Sequence, residues 1–179
     1  MAYSVGRMVS VPASSRADLV GEPTLAALDR LGLTDVVGVV EVDPELSDTA
    51  LTQEAYDLPV RSLANCVVVA GRREGVERVA ACMVLADARA DVNTVVRKRI
   101  DVRKATFLPR EEAVERTGME YGGITPIGLP ADWPVLVDAA VAAAPVLVIG
   151  SGVRRSKLLL PGSLLAELPT AEVVEGLGR

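Results

Sequence analysis

The chain contains no histidine, and that gap removes whole classes of chemistry. Imidazole is the usual general base near neutral pH and the commonest metal ligand, so Ser-His-Asp triads, Cys-His dyads and histidine-bearing zinc sites are excluded. Neither a metal nor a cofactor is expected. Cysteine is scarce: Cys66 and Cys82 are the only two. They form no Cys-x-x-Cys pair and read as reduced, buried thiols rather than as a disulfide framework. Aromatic residues make up 3% of the chain, which leaves the interior to Val, Leu, Ile and Ala. Such a core favours sheet layers with alanine-rich helices packed on them. No apolar run approaches the roughly 18 residues of a membrane span, and Met1–Ser10 lacks the basic start and apolar stretch of a secretory leader. No membrane is expected, and the cytoplasm is the simplest address.

What is present is enough for one compact domain. The 179 residues are 50% hydrophobic, ample for a core without a metal or a staple. We read 1–179 as a single domain with 1–35 as an N-terminal helical extension. The net charge of −5 argues against a surface that grips nucleic acid everywhere, while leaving room for a local basic patch.

Pro23–Gly32 reads as a short helix with proline in the first turn and glycine as the stop. Val36–Val42 is a β-branched strand, and Asp48 with Thr49 opens a helix that runs to Tyr56. Cys66–Ala70 and Val79–Ala86 read as a hairpin around a polar loop. Asp91 caps a helix with Val92, Val95, Val96 and Ile100 on one face, and Lys104–Leu108 is a short strand. Residues 110–117 are a helix ended by Gly118; Val135–Asp138, Val146–Ile149 and Lys157–Leu160 are strands, and Ser163 caps a closing helix. Hairpins mixed with helical crossovers do not give a doubly wound fold. The fold class is therefore α+β, a mixed and partly barrel-like sheet wrapped by helices.

Three stretches carry candidate chemistry. Gly122-Gly-Ile-Thr-Pro-Ile-Gly128 is either a tight connection or a loop whose bare amides hold an ester oxygen. Gly150-Ser-Gly-Val-Arg-Arg155 follows an apolar strand like a phosphate-binding turn, but Arg155 stands where a dinucleotide fingerprint needs its third glycine. A nicotinamide site is not expected there, whereas Arg154 and Arg155 suit phosphate or a terminal sugar as well as plain solvent. Residues 97–104 hold five cations, Arg97, Lys98, Arg99, Arg103 and Lys104, against Asp101. Such density neutralises nucleic-acid phosphates, or simply complements the end of a helix. Asp138, ending an apolar strand, either caps the next helix or orients a substrate.

Tyr121-Gly-Gly-Ile-Thr-Pro-Ile-Gly128, then Leu136-Val-Asp138, then Val148-Ile-Gly-Ser-Gly152 together resemble the glycine-proline loop, strand aspartate and late Gly-Ser-Gly turn of the YbaK/prolyl-tRNA-synthetase-associated domain family. The likeness extends from about Val36 to Val174. It implies a YbaK-like fold and a freestanding trans-editing hydrolase, an aminoacyl-tRNA deacylase that cleaves the ester joining a wrong amino acid to the tRNA 3′ end. Its implied partners are the tRNA acceptor end and an aminoacyl-tRNA synthetase. Carried over, Gly122, Gly123, Thr125 and Pro126 form the catalytic loop. Ile124, Asp138, Ser151, Gly152 and Arg154 line the substrate pocket, and the 97–104 cations meet the tRNA. Backbone dipoles that position water need no imidazole.

One departure stands out. Members of that family usually carry a lysine just before the central strand, where this chain has Leu63-Ala-Asn-Cys-Val67. The position falls to Ala64 or Asn65, and asparagine donates only through a neutral amide. Arg61 and Lys104 are the cations offered in its place. The alternatives are a binding module for tRNA or a synthetase that has lost the reaction along with the lysine, and a hydrolase of some other small ester or amide.

Overall fold

The computed structural model describes residues 2–179. Its strands are β1 (Ser4–Val5), β2 (Met8–Val9), β3 (Val11–Pro12), β4 (Gly38–Glu41), β5 (Ala64–Arg73), β6 (Val76–Leu85), β7 (Ala105–Phe107), β8 (Val135–Asp138), β9 (Leu147–Gly150), β10 (Ser156–Leu160) and β11 (Ala171–Val174). The helices are α1 (Glu22–Leu31), α2 (Thr49–Ala55), α3 (Arg97–Arg99), α4 (Arg110–Thr117), α5 (Ala139–Ala142) and α6 (Gly162–Ala166). The strands form a small β1–β2 ribbon, an antiparallel sheet ordered β3-β4-β10-β9 and a mixed sheet ordered β11-β8-β6-β5-β7. In the mixed sheet, β8 runs parallel to both β11 and β6. Both sheets are open, so the mixed α+β architecture holds but neither sheet closes as a barrel.

One parallel bridge, Leu63 to Val148, joins the two larger sheets. Beyond it they part. β7 pairs with β5 only over Val69–Gly71, so the edge of β5 between the bridge and β7 has no strand beside it. An antiparallel ladder alternates its bonding side from residue to residue. The Leu108 N–H donates to the Val68 carbonyl on this side, and the Ala86 N–H donates to the Leu63 carbonyl on the other. By that alternation the peptide groups of Cys66 turn toward the gap. This divergence positions the site.

Strand β10 is buried at all five positions. Its period-2 alternation sends Leu158 and Leu160 into the main core with Val39, Ile149 and Leu28. Leu159 goes to the other face with Leu63 and Val148, and Lys157 shares that face.

Helices α2 and α5 begin at the predicted aspartate caps. Asp48 accepts from the Ala50 N–H at 3.0 Å, and Asp138 accepts from the Ala140 N–H at 2.9 Å. Gly32 and Gly118 end α1 and α4 in the left-handed region. Ser163 falls inside α6, whose cap is Pro161. The hairpin is longer than its apolar pattern suggests. Glu74 and Gly75 both take positive φ, so a two-residue turn suffices and the charged flanks join the ladder. The described part of the expected helical extension, residues 2–35, holds three short strands besides helix, and β3 extends the antiparallel sheet.

Candidate active site

A cavity of about 460 Å³ opens where the sheets part. One wall is the start of β5, Ala64–Val68, and the other is Val148–Gly150 of β9. Ser47–Thr49 and Thr52 close one end, Tyr121, Gly122 and Ile124 cover it, and Phe107, Leu108 and Arg110 stand at the side of β7.

Lys157 reaches this cavity from β10 and is 6% exposed. Its Nζ donates to the Ser47 carbonyl at 2.8 Å and to Ser47 Oγ at 3.2 Å, and lies 3.5 Å from the Gly122 carbonyl. The first two are ordinary hydrogen bonds, while the third sits at the limit. An ammonium carries three donors, so the one left to the Gly122 carbonyl is held only loosely. Burial, reinforced by the nearby positive charge of Arg154 and partly offset by Asp48, lowers the Lys157 pKa to about 8.

Asn65 stands on the opposite wall. Its Oδ1 accepts from Thr49 Oγ1 at 2.9 Å, which fixes the amide orientation and leaves the NH₂ end as the donor. Asp48 uses one carboxylate oxygen on the Ala50 N–H and brings a negative charge to the rim. Cys66 also lines the cavity, but burial pushes its thiol far above the ordinary range, so it does not supply a thiolate at neutral pH. The arrangement offers a cation, a neutral amide and a strand-edge peptide around one volume. These are donors suited to an oxygen that gains negative charge.

The glycine-proline loop divides in two. Gly122 is exposed, with φ +86°, and lines the cavity together with half-buried Ile124. Gly123 is packed shut: its N–H donates to the Glu120 carbonyl at 2.9 Å, and its carbonyl accepts from the Gly152 N–H at 2.7 Å. A Cβ there would lie 2.6 Å from the Val153 carbonyl. Thr125 and Pro126 are buried behind the loop and do not line the cavity; the Thr125 hydroxyl has no hydrogen-bond partner among the described residues. Thus the loop presents Gly122 and Ile124 to the cavity and uses the rest as packing.

The other expected pocket residues are also placed. Ser151 is fully buried and ties its own turn through Ser156 Oγ at 2.7 Å and the Val153 carbonyl at 3.1 Å. Gly152, at φ +88°, backs onto Gly21 and Thr24. Asp138 caps α5 with one oxygen and accepts from the Gly178 N–H at 2.7 Å with the other. None of the three lines the cavity. Arg154 stands just outside it, its guanidinium donating to the Tyr121 carbonyl at 3.3 Å and to the Pro44 carbonyl at 2.9 Å, where it holds the loops together.

The basic stretch lies at the far end of β5. Lys104 sits opposite Arg72 by the Gly71–Ala105 register, about 20 Å along the strand from Cys66 at ~3.3 Å per residue. Arg99 pairs with Glu172, and Arg97 reaches the Arg103 carbonyl at 3.5 Å. Asp101 accepts from Arg78 and Arg73, which together hold its carboxyl below the usual range. Lys98, Arg103 and Lys104 remain exposed. Arg61 is exposed as well, and neither it nor Lys104 lines the cavity. The buried cation of the cavity is Lys157, which the sequence reading places in a strand and assigns no role. The available signal was a lone charge in the apolar run Ser156-Lys-Leu-Leu-Leu160, since a buried charge needs a reason.

Among the described residues, no group of three or more His, Cys, Asp or Glu side chains is placed to hold a metal ion, and no helix is long and apolar enough to cross a membrane. No curated protein sequence gives a significant match to the chain. Among solved structures, a hypothetical protein superposes with a TM-score of 0.76 at 19% identity, covering 88% of this chain and 100% of its own. A candidate trans-editing enzyme for prolyl-tRNA synthetase superposes with a TM-score of 0.71 at 20% identity, covering 87% of this chain and 94% of its own. These likenesses give the fold. The family model described as the aminoacyl-tRNA editing domain matches residues 43–168, and the chain belongs to that family.

Proposed function

We propose that the protein is an aminoacyl-tRNA deacylase whose cavity polarises the ester carbonyl of a misacylated tRNA with the ammonium of Lys157. The observation that carries this reading is the geometry of Lys157: a buried cation lining the cavity, with two firm hydrogen bonds to Ser47 and only a long third contact, to the Gly122 carbonyl. The Asn65 amide and the Cys66 peptide supply neutral donors on the facing wall, and Gly122 leaves the loop side open. Asp48 is the anion that receives the α-ammonium of the aminoacyl group, and it keeps that positive charge away from Lys157.

The reaction is a hydrolysis. Water adds to the carbonyl carbon, and the carbonyl oxygen gains the negative charge that Lys157 and the neutral donors stabilise. The C–O bond to the ribose then breaks. The free amino acid leaves as its acid, and the proton released by the water ends on the ribose oxygen, restoring the hydroxyl. Holding the ester and water together supplies the remaining acceleration. A cation relocated from the start of β5 to β10 accounts for a chain with Ala64 and Asn65 where its family usually has lysine.

The test is hydrolysis of a panel of tRNAs misacylated with different amino acids, measured against spontaneous hydrolysis. Turnover of at least one species above background, lowered about 10²–10³-fold in Lys157→Met, is the expected result. Rates equal to background throughout, with tRNA still bound, would favour the binding-module reading instead.

A further inference from the structure

Phe107 and Tyr121 are 57% and 49% exposed, although the chain has only five aromatic side chains. Both line the cavity, and among the described residues no other large hydrophobic that is similarly exposed does so. Exposed aromatic rings beside a cavity are costly to leave in water and offer flat apolar faces. The Arg110 guanidinium lies 4.3 Å from the centre of the Tyr121 ring. It therefore covers one face of that ring and brings positive charge to the cavity mouth.

The chain leading to this mouth is also cationic. Exposed Arg103 and Lys104 precede β7, Phe107 ends it, and Arg110 follows. An edge strand flanked by cations and ending in an exposed ring is the pattern that binds single-stranded nucleic acid: phosphates meet the charges and a base stacks on the ring. A purely apolar partner would gain nothing from Arg103, Lys104 and Arg110, whereas a polyanion with aromatic bases uses all of them.

We infer that Phe107 and Tyr121 form a stacking platform for the unpaired 3′-terminal bases of an RNA strand, with Arg110 and the cations before β7 tracking its phosphates. This rests on the deacylase reading for its biological substrate. Its test does not, because binding is measured without turnover.

The probe is an uncharged short RNA ending in 2-aminopurine, compared with the same RNA ending in an abasic ribose; binding is followed by fluorescence and anisotropy. Wild type should bind the base-bearing RNA about 10- to 100-fold more tightly than the abasic one. Phe107→Ala and Tyr121→Ala should each remove much of that preference, Phe107→Trp should keep it, and Phe107→Leu should lose it. Equal affinity for the two RNAs, or Phe107→Leu behaving like wild type, overturns the proposal. If the preference is present and ring-dependent while no variant hydrolyses any aminoacyl-tRNA, the platform stands and the deacylase reading falls. If Lys157-dependent hydrolysis is present but Phe107→Ala and Tyr121→Ala slow a base-free aminoacyl methyl ester as much as the tRNA, the rings serve the acyl group and the platform falls.

Discussion

Two cationic regions of this molecule sit in opposite surroundings. Residues 97–104 gather five positive charges at the surface, partly spent on Glu172 and on backbone carbonyls. Strand β10 carries one, Lys157, buried in the wall of a cavity with only neutral oxygens within hydrogen-bond reach. Charge density on a solvated surface is screened within about 8–10 Å, so the dense region can attract a polyanion but cannot polarise an ester about 20 Å away. The lone buried charge acts at full strength on whatever enters beside it. On the proposed reading, density in the sequence marks affinity, and isolation marks chemistry.

The comparison is broken most sharply at position 157. Lys157→Met should lower kcat for deacylation by about 10²–10³-fold, the usual cost of losing one donor to a developing oxyanion. Single-turnover hydrolysis measures it. The same substitution should stabilise the fold at pH 7, because an ammonium whose pKa falls from 10.5 to about 8 is held at a cost on the order of 3 kcal/mol. The folded value lies below the unfolded one, so the folded protein holds fewer protons between pH 8 and 10.5. Wild-type stability should rise across that window, and the advantage of Lys157→Met should shrink with it. Urea unfolding at pH 7 and pH 10 reads both arms.

Activity should run the other way with pH. If the protonated amine does the work, enzyme-dependent kcat/KM declines about tenfold per pH unit above about 8. Spontaneous ester hydrolysis rises over the same range and must be subtracted. A rate that climbed to a plateau near pH 8 would instead mark the neutral amine as a base.

Asp48→Asn should have an intermediate effect. Asparagine keeps a carbonyl for the Ala50 N–H and removes only the charge, so α2 should stay capped. The KM for aminoacyl substrates should rise about tenfold, with little change for N-acetylated ones. Because Asp48 raises the Lys157 pKa, the alkaline limb of the pH profile should also move to lower pH. Steady-state kinetics on the paired substrates checks the first effect and a pH series the second.

How much of this is legible in the sequence follows from how local each determinant is. The β5–β6 hairpin, the Asp48 and Asp138 caps and the glycine stops at 32 and 118 are decided within a few residues, and they appear where pattern and propensity place them. The glycine-rich segments 122–128 and 150–152 were read as parts of one site; they pack on each other through the Gly152 N–H and the Gly123 carbonyl, but only Gly122, Ile124 and Gly150 of them line the cavity. Which of their glycines lines the cavity was not legible, because that depends on Val153 and Gly21 packing behind them. Lys157 was hidden for a related reason. Its partner Ser47 lies 110 positions away, and the side chain enters the cavity only because β10 presents alternate residues to two different interiors. The role of a residue in the middle of a buried strand is set by what packs on each face, and a one-dimensional pattern does not carry that.

The smallest expected effect sharpens the other half of the comparison. Lys98 and Lys104 are exposed cations outside the cavity, and the double substitution Lys98→Ala/Lys104→Ala should leave kcat at saturating tRNA unchanged. Its effect should be confined to binding: tRNA affinity weakened a few-fold at low salt, with the slope of log Kd against log salt reduced by roughly one per cation removed. Base-free aminoacyl esters should be hydrolysed at the wild-type rate, since no phosphate is involved. A loss of kcat would place these charges close enough to the ester to act on it. An unchanged salt slope would mean that tRNA approaches across another face, leaving the five cations as helix-end charges with no part in binding.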